Sequence, residues 1–94
     1  MRLSSPRIES FLFDEVNEEK FHAHGLTPLQ VNQVLDNDHV ILPNRQRRTG
    51  SYLIIGKDDG GACVAVPVTP THDPLVWRPV TAWYCKEREK SLLT

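Results

Sequence analysis

The second half of the chain gathers cations and aromatic rings. Arg45, Arg47 and Arg48 fall in one run, followed by Tyr52, Lys57, His72, Arg78, Thr81, Trp83 and Tyr84. A guanidinium presents a fixed fork of N–H donors that matches two oxygens of a phosphate, and such donors stabilise charge that builds up at phosphorus. An imidazole titrates near neutral pH, which makes His24 a candidate proton-transfer group. Of Trp77, Trp83 and Tyr84, any ring that faces outward offers a surface on which an unpaired base can stack. The chemistry within reach of these residue types is recognition, or cleavage, of a phosphodiester.

Each candidate has a plain alternative. A basic loop such as Asn44 to Thr49 is commonly just a solvated loop, although loops between strands also carry binding residues. Arg78, between Trp77 and Pro79 in a strand expected to be largely buried, needs either an acidic partner or an anionic ligand, and Asp14 and Glu87 are the candidate acids. His24 beside Gly25 reads equally as a C-terminal helix residue favoured by the helix dipole. His22 and His24, two apart on a helix, point about 200° apart and cannot share a metal. The chain carries no Gly-rich phosphate loop, Gly-x-Ser-x-Gly elbow or His-Glu-x-x-His motif, so neither a metal nor a cofactor is expected.

Positioning these groups falls to a small domain. Ninety-four residues, 39% hydrophobic and 24% charged, suit one compact core: residues 8–94 as a single domain behind a tail of residues 1–7. No apolar run is long enough to cross a bilayer and no secretory signal opens the chain, so a cytoplasmic location is expected, with Cys63 and Cys85 reduced. The net charge of −1 hides an asymmetry: residues 1–44 carry three bases against seven acids, residues 45–94 eight bases against five acids. Binding of nucleic acid by bulk charge is therefore not indicated, whereas a local basic site in the second half is.

Ile8 to Phe13 reads as a short strand. Asp14 is the N-cap of a helix with acids in its first turns, ending at Gly25. Thr27, Pro28 and Gln30 form a capping box at the start of a second helix, with Leu26 and Val31 placed as a hydrophobic staple and Val31, Val34 and Leu35 on one face. Strands follow at Val40 to Leu42, Tyr52 to Ile55, Ala62 to Val68 and Leu75 to Trp83, with Asp58-Asp-Gly-Gly as a hairpin turn. Pro67 places its strand at a sheet edge, or ends or bulges it there. Glu87 and Lys90, three apart, support a short terminal helix that Leu92 and Leu93 would anchor. The pattern predicts an α+β domain: a short N-terminal strand, two helices on one face of a three- to four-stranded antiparallel sheet, and a short C-terminal helix.

Three stretches resemble BrnT-like toxins of type II toxin–antitoxin systems. Phe13-Asp-Glu-Val-Asn-Glu-Glu-Lys-Phe-His-Ala-His-Gly-Leu-Thr-Pro is similar to their opening, an aromatic residue and an acid before a helix that ends in His-Gly. Tyr52-Leu-Ile-Ile-Gly-Lys resembles the strand that ends in Gly-Arg, and Trp77-Arg-Pro-Val-Thr-Ala-Trp the final strand. The resemblance runs from about Phe11 to Leu93 and implies a RelE/BrnT-like fold, RNA cleavage without a metal, and neutralisation by a DNA-binding ribbon-helix-helix antitoxin. Carried over by position, the catalytic candidates are His24, Arg45, Arg48, Lys57 and Arg78, and the RNA contacts Arg47, Tyr52, Thr81 and Trp83. Such a protein would be a homodimer or part of a toxin–antitoxin heterotetramer.

In that reading a ribose 2′-hydroxyl attacks the adjacent phosphate, with imidazole and guanidinium groups moving protons and stabilising the phosphorane. The chain also departs from the pattern. Trp83 stands where the family usually has arginine, Leu93 where a tyrosine is usual, and Cys85 replaces a small alanine. Loss of the arginine and the slightly acidic total charge motivate a second reading, a non-catalytic module that keeps the fold and binds a protein partner through a sheet edge near Pro67 or Pro79.

Overall fold

The computed structural model describes residues 6–44 and 50–93. Its elements run β1 (Ser10–Phe11), α1 (Glu15–Ala23), α2 (Pro28–Asp36), β2 (His39–Pro43), β3 (Tyr52–Lys57), β4 (Cys63–Pro70), β5 (Val76–Pro79), β6 (Trp83–Tyr84) and α3 (Glu87–Lys90), the last running into a 3₁₀ turn, Ser91–Leu93. The α+β class holds. The sheet is larger than expected and mixed: the strand order is β1-β5-β4-β3-β2, β6 also pairs with β4, and β1 runs parallel to β5.

Local chemistry accounts for both long helices. Asp14 caps α1 by accepting from the Asn17 N–H at 2.9 Å, and Thr27 caps α2 by accepting from the Gln30 N–H at 3.2 Å. Gly25 ends the first helix at φ +77, a left-handed backbone that costs glycine no Cβ clash. Leu26 and Val31, the expected staple, are both buried. Phe21, Leu26, Val31 and Val34 from the helical layer pack with Ile54, Val64, Val66 and Val68 of the sheet in one apolar cluster. The opposite face holds a smaller cluster of Ile55, Ala65 and Cys85, against which Val40, Leu42, Trp83 and Leu93 pack. Of the two C-terminal leucines only Leu93 anchors; Leu92 is exposed.

Prolines explain how the sheet is interrupted. β4 is interior, not an edge: Pro67 is fully buried and lies opposite Leu53 of β3. On its other side the carbonyl of Pro67 accepts from the Val80 N–H, so its missing N–H points into the gap where the partner changes from β6 to β5. The expected last strand, Leu75 to Trp83, is therefore two strands, Val76–Pro79 and Trp83–Tyr84. The expected strand from Ile8 to Phe13 shrinks to Ser10–Phe11, because Leu12 onward turns toward the α1 cap.

The cysteines correct the expectation of reduced thiols. Cys63 and Cys85 are joined in a disulfide across β4 and the end of β6, with a Cα–Cα separation of 5.2 Å. The β4–β6 register places them directly opposite, and the Cys85 N–H donates to the Cys63 carbonyl at 2.9 Å. Twenty-two residues of separation had concealed a cross-strand pair.

Candidate functional site

Arg78 sits on β5 opposite Thr69 of β4. Its Nε donates to Asp14 Oδ2 at 2.7 Å and its second guanidinium nitrogen to Oδ1 at 3.2 Å, a two-pronged pair. Of the two candidate acids, Asp14 is the partner. The Arg78 guanidinium hydrogen-bonded to Asp14, backed by the Asn17 N–H, holds that carboxyl below its ordinary value. Asp14 thus serves as helix cap and counter-ion together.

Behind this pair stands Asn17, a residue sequence reasoning missed. Its side chain is fully buried, accepts from the Asp14 N–H at 3.0 Å, and donates to the carbonyls of Leu12 at 2.9 Å and Pro79 at 3.0 Å. One amide so ties the end of β1, the start of α1 and the end of β5. The signal available was its place three residues after the cap, where a capping-box partner belongs.

Lys57 and His24 lie elsewhere. Lys57 ends β3 opposite Cys63, six residues along β4 from Thr69, so roughly 20 Å of strand separates it from Arg78. It lines an open recess with Asp36, Asp38, Asp58 and Asp59, a predominantly acidic surround that does not suit a phosphate. His24 is the exposed C-cap of α1, donating its backbone N–H to the last turn. The neighbouring Gly25 carbonyl accepts from Tyr84 Oη at 3.4 Å, which puts His24 at the Lys57 end. The side chains of the described catalytic candidates therefore meet at no common point. Arg45, Arg47 and Arg48 lie outside the described residues.

The candidate RNA contacts among the described residues, Tyr52, Thr81 and Trp83, are built into the fold. Tyr52 meets Trp77 edge to face, ring centres 5.5 Å apart at 84°. Thr81 is buried. Trp83 is half-buried and its indole N–H donates to Glu89 Oε1 at 3.1 Å, fastening α3 to the sheet. Tyr84, by contrast, is exposed: Gln30 bridges its hydroxyl at 3.2 Å and Asp58 Oδ2 at 3.1 Å. Asp58 itself is buried in the β3–β4 turn. Burial pushes its pKa up, but the bonds it accepts from the Ala62 N–H, Gln30 and the Gly60 and Gly61 backbone outweigh that and leave it lowered.

Among the described residues no three His, Cys, Asp or Glu side chains come together so as to hold a metal ion, and no helix is long and apolar enough to cross a membrane. Compared with known families, with curated proteins and with solved structures, the chain finds no match.

Proposed function

We propose that the chain is a non-catalytic protein-binding module. The observation that carries this reading is the Asp14–Arg78 pair: Arg78, the phosphate-binding arginine candidate among the described residues, has two nitrogens of its guanidinium on a carboxylate. The outer face of α1 supplies a surface of the right kind. Val16, 55% exposed, stands among Glu15, Glu18, Glu19 and His22, an apolar anchor in an acidic rim suited to a basic partner. An edge near Pro67 or Pro79 is not available for this, since both prolines are fully buried. On the resemblance to BrnT-like toxins, the partner proposed is a DNA-binding ribbon-helix-helix protein.

A metal-independent ribonuclease toxin is the second reading, and one observation favours it. Asn44, after β2, and Ser51, whose N–H donates to the Val68 carbonyl, both lie at the Arg78 end of the sheet, and in sequence Arg45, Arg47 and Arg48 stand between them. Incubating the purified chain at micromolar concentration with a long single-stranded RNA separates the two. The protein-binding reading expects intact RNA. Cleavage of that RNA by the wild-type chain, lost in an Arg78→Ala variant that still folds, would overturn it.

A further inference from the structure

The face of the sheet turned away from the two long helices carries a row of three residues that neither reading uses. Cys63 of β4 stands between Lys57 of β3, its partner in the β3–β4 register, and Cys85, opposite it after β6. Paired residues of neighbouring strands point to the same face, so the Lys57 side chain lies alongside the bridge. An open recess of about 450 Å³ reaches this row: both cysteines line it, with Lys57, Lys90, Tyr84 and Leu93, and no carboxylate of the described residues is among its walls. The acidic recess of Asp36, Asp38, Asp58 and Asp59 shares only Lys57 and Gly61 with it. Lys57 has no side-chain partner among the described residues, and Lys90 reaches Glu87 at 3.4 Å, an exposed pair that holds it weakly. The two sulfur-bearing residues are not equally open. Cys85 is 8% exposed, within the smaller apolar cluster, whereas Cys63 is half-buried.

We infer that Cys63 is a site of reversible thiolation, at which a small thiol bearing carboxylates enters the recess and exchanges with the Cys63–Cys85 bridge. The incoming thiolate attacks Cys63 Sγ, the more accessible sulfur, and a new S–S bond forms there. The Cys63–Cys85 bond breaks, its electron pair leaves on Cys85 Sγ, and that thiolate takes a proton from water in place of the one the thiol gave up. One disulfide replaces another, so no oxidant or reductant is consumed. Lys57 and Lys90 supply the positive charge that meets the carboxylates. The same route runs backwards. The Cys85 N–H bond to the Cys63 carbonyl, at 2.9 Å, and the Trp83 bond to Glu89 do not involve the sulfurs. They keep Cys85 opposite Cys63 once the bridge is open, where its thiolate is positioned to displace the attached thiol. While that thiol is in place, β6 is held to β4 without its covalent tie. The inference is independent of whether the module binds a protein or cleaves RNA.

The test treats the full oxidised chain at neutral pH with reduced glutathione over a range of concentrations, quenches samples with acid, and locates adducts by peptide mass spectrometry. Bridge opening should be first order in glutathione without a plateau, with the glutathionyl group on Cys63 and a free thiol on Cys85. Removing free glutathione should return the bridge. Lys57→Gln combined with Lys90→Gln, two exposed changes, should slow the reaction with glutathione about threefold or more. The same pair should leave the rate with 2-mercaptoethanol, which carries no carboxylate, unchanged. A chain that never yields a Cys63 adduct overturns the inference, as does an adduct chiefly on Cys85. So does a rate that levels off at a value independent of the thiol, the sign that only a locally unfolded chain reacts, or a glutathione rate indifferent to the two lysines.

Discussion

Asp14 and Arg78, 64 residues apart, share two hydrogen bonds of 2.7 and 3.2 Å, and the same carboxylate caps α1. The pair is a strut between the first helix and β5, and its aspartate answers to both. Replacing Arg78 with Ala should therefore lower the melting midpoint measurably instead of leaving the fold indifferent. Asp14→Ala should lower it further, because the cap goes with the ion pair. In a double-mutant cycle the two losses should sum to more than the double variant's, the mark of direct coupling.

The same carboxylate sets a pH dependence. Asp14, through Arg78, and Asp58, through the hydrogen bonds that overcome its burial, both have folded-state pKa values below the ordinary 3.8. A depressed carboxyl stabilises the fold fully above its unfolded value and loses that contribution as pH falls through the folded one. Thermal melts should thus be level above about pH 5 and fall steeply below about pH 4. Asp14→Asn should lower the plateau and flatten the fall.

Asn17 should be the least replaceable polar side chain. Asn17→Ala leaves the Asp14 N–H and the Leu12 and Pro79 carbonyls without their partner inside the fold. A cost on the order of 2–4 kcal/mol follows from stranding buried polar groups. In a domain of this size that lowers the melting midpoint by roughly 10 °C or more, readable by circular dichroism.

Reduction should loosen the second face selectively. The Cys63–Cys85 bridge closes a loop of 22 residues, for which chain-entropy reasoning gives about 3 kcal/mol. Treatment with a thiol reductant, or Cys63→Ser with Cys85→Ser, should lower stability by about that much. Amide exchange should rise first in β6 and α3, which the bridge holds to β4, and last in α2. In a compartment whose thiol pools keep cysteines reduced, this weaker form is the one present.

The helical part of the fold could be read because its signals are local. Asp14, Thr27 with Pro28 and Gln30, and Gly25 each act within four residues of where they stand. The β3–β4 turn is of the same kind, with Gly61 at φ +88 and Asp58 Oδ1 accepting from the Ala62 N–H. The strands were harder because pairing is settled across the chain. Nothing near Ser10 or Phe11 says that a parallel partner waits at Val76 and Trp77. Pro67 does signal a broken ladder, but it cannot say that only one side breaks while β3 stays paired on the other. Arg78 was recognised as needing a partner, and choosing Asp14 over a ligand took the structure. Cys63 and Cys85 look unrelated until β6 folds back on β4.

The account turns on whether Arg78 is committed to Asp14 or available to an anion. The direct measurement is the NMR signal of the Arg78 Nε–H, followed at neutral pH during titration with a short single-stranded oligoribonucleotide whose reactive 2′-hydroxyls are replaced by hydrogen. The account expects that signal to hold still through the titration and to move only when acid protonates Asp14. A saturable shift of Arg78 together with the signals of His24 and Lys57 would contradict it.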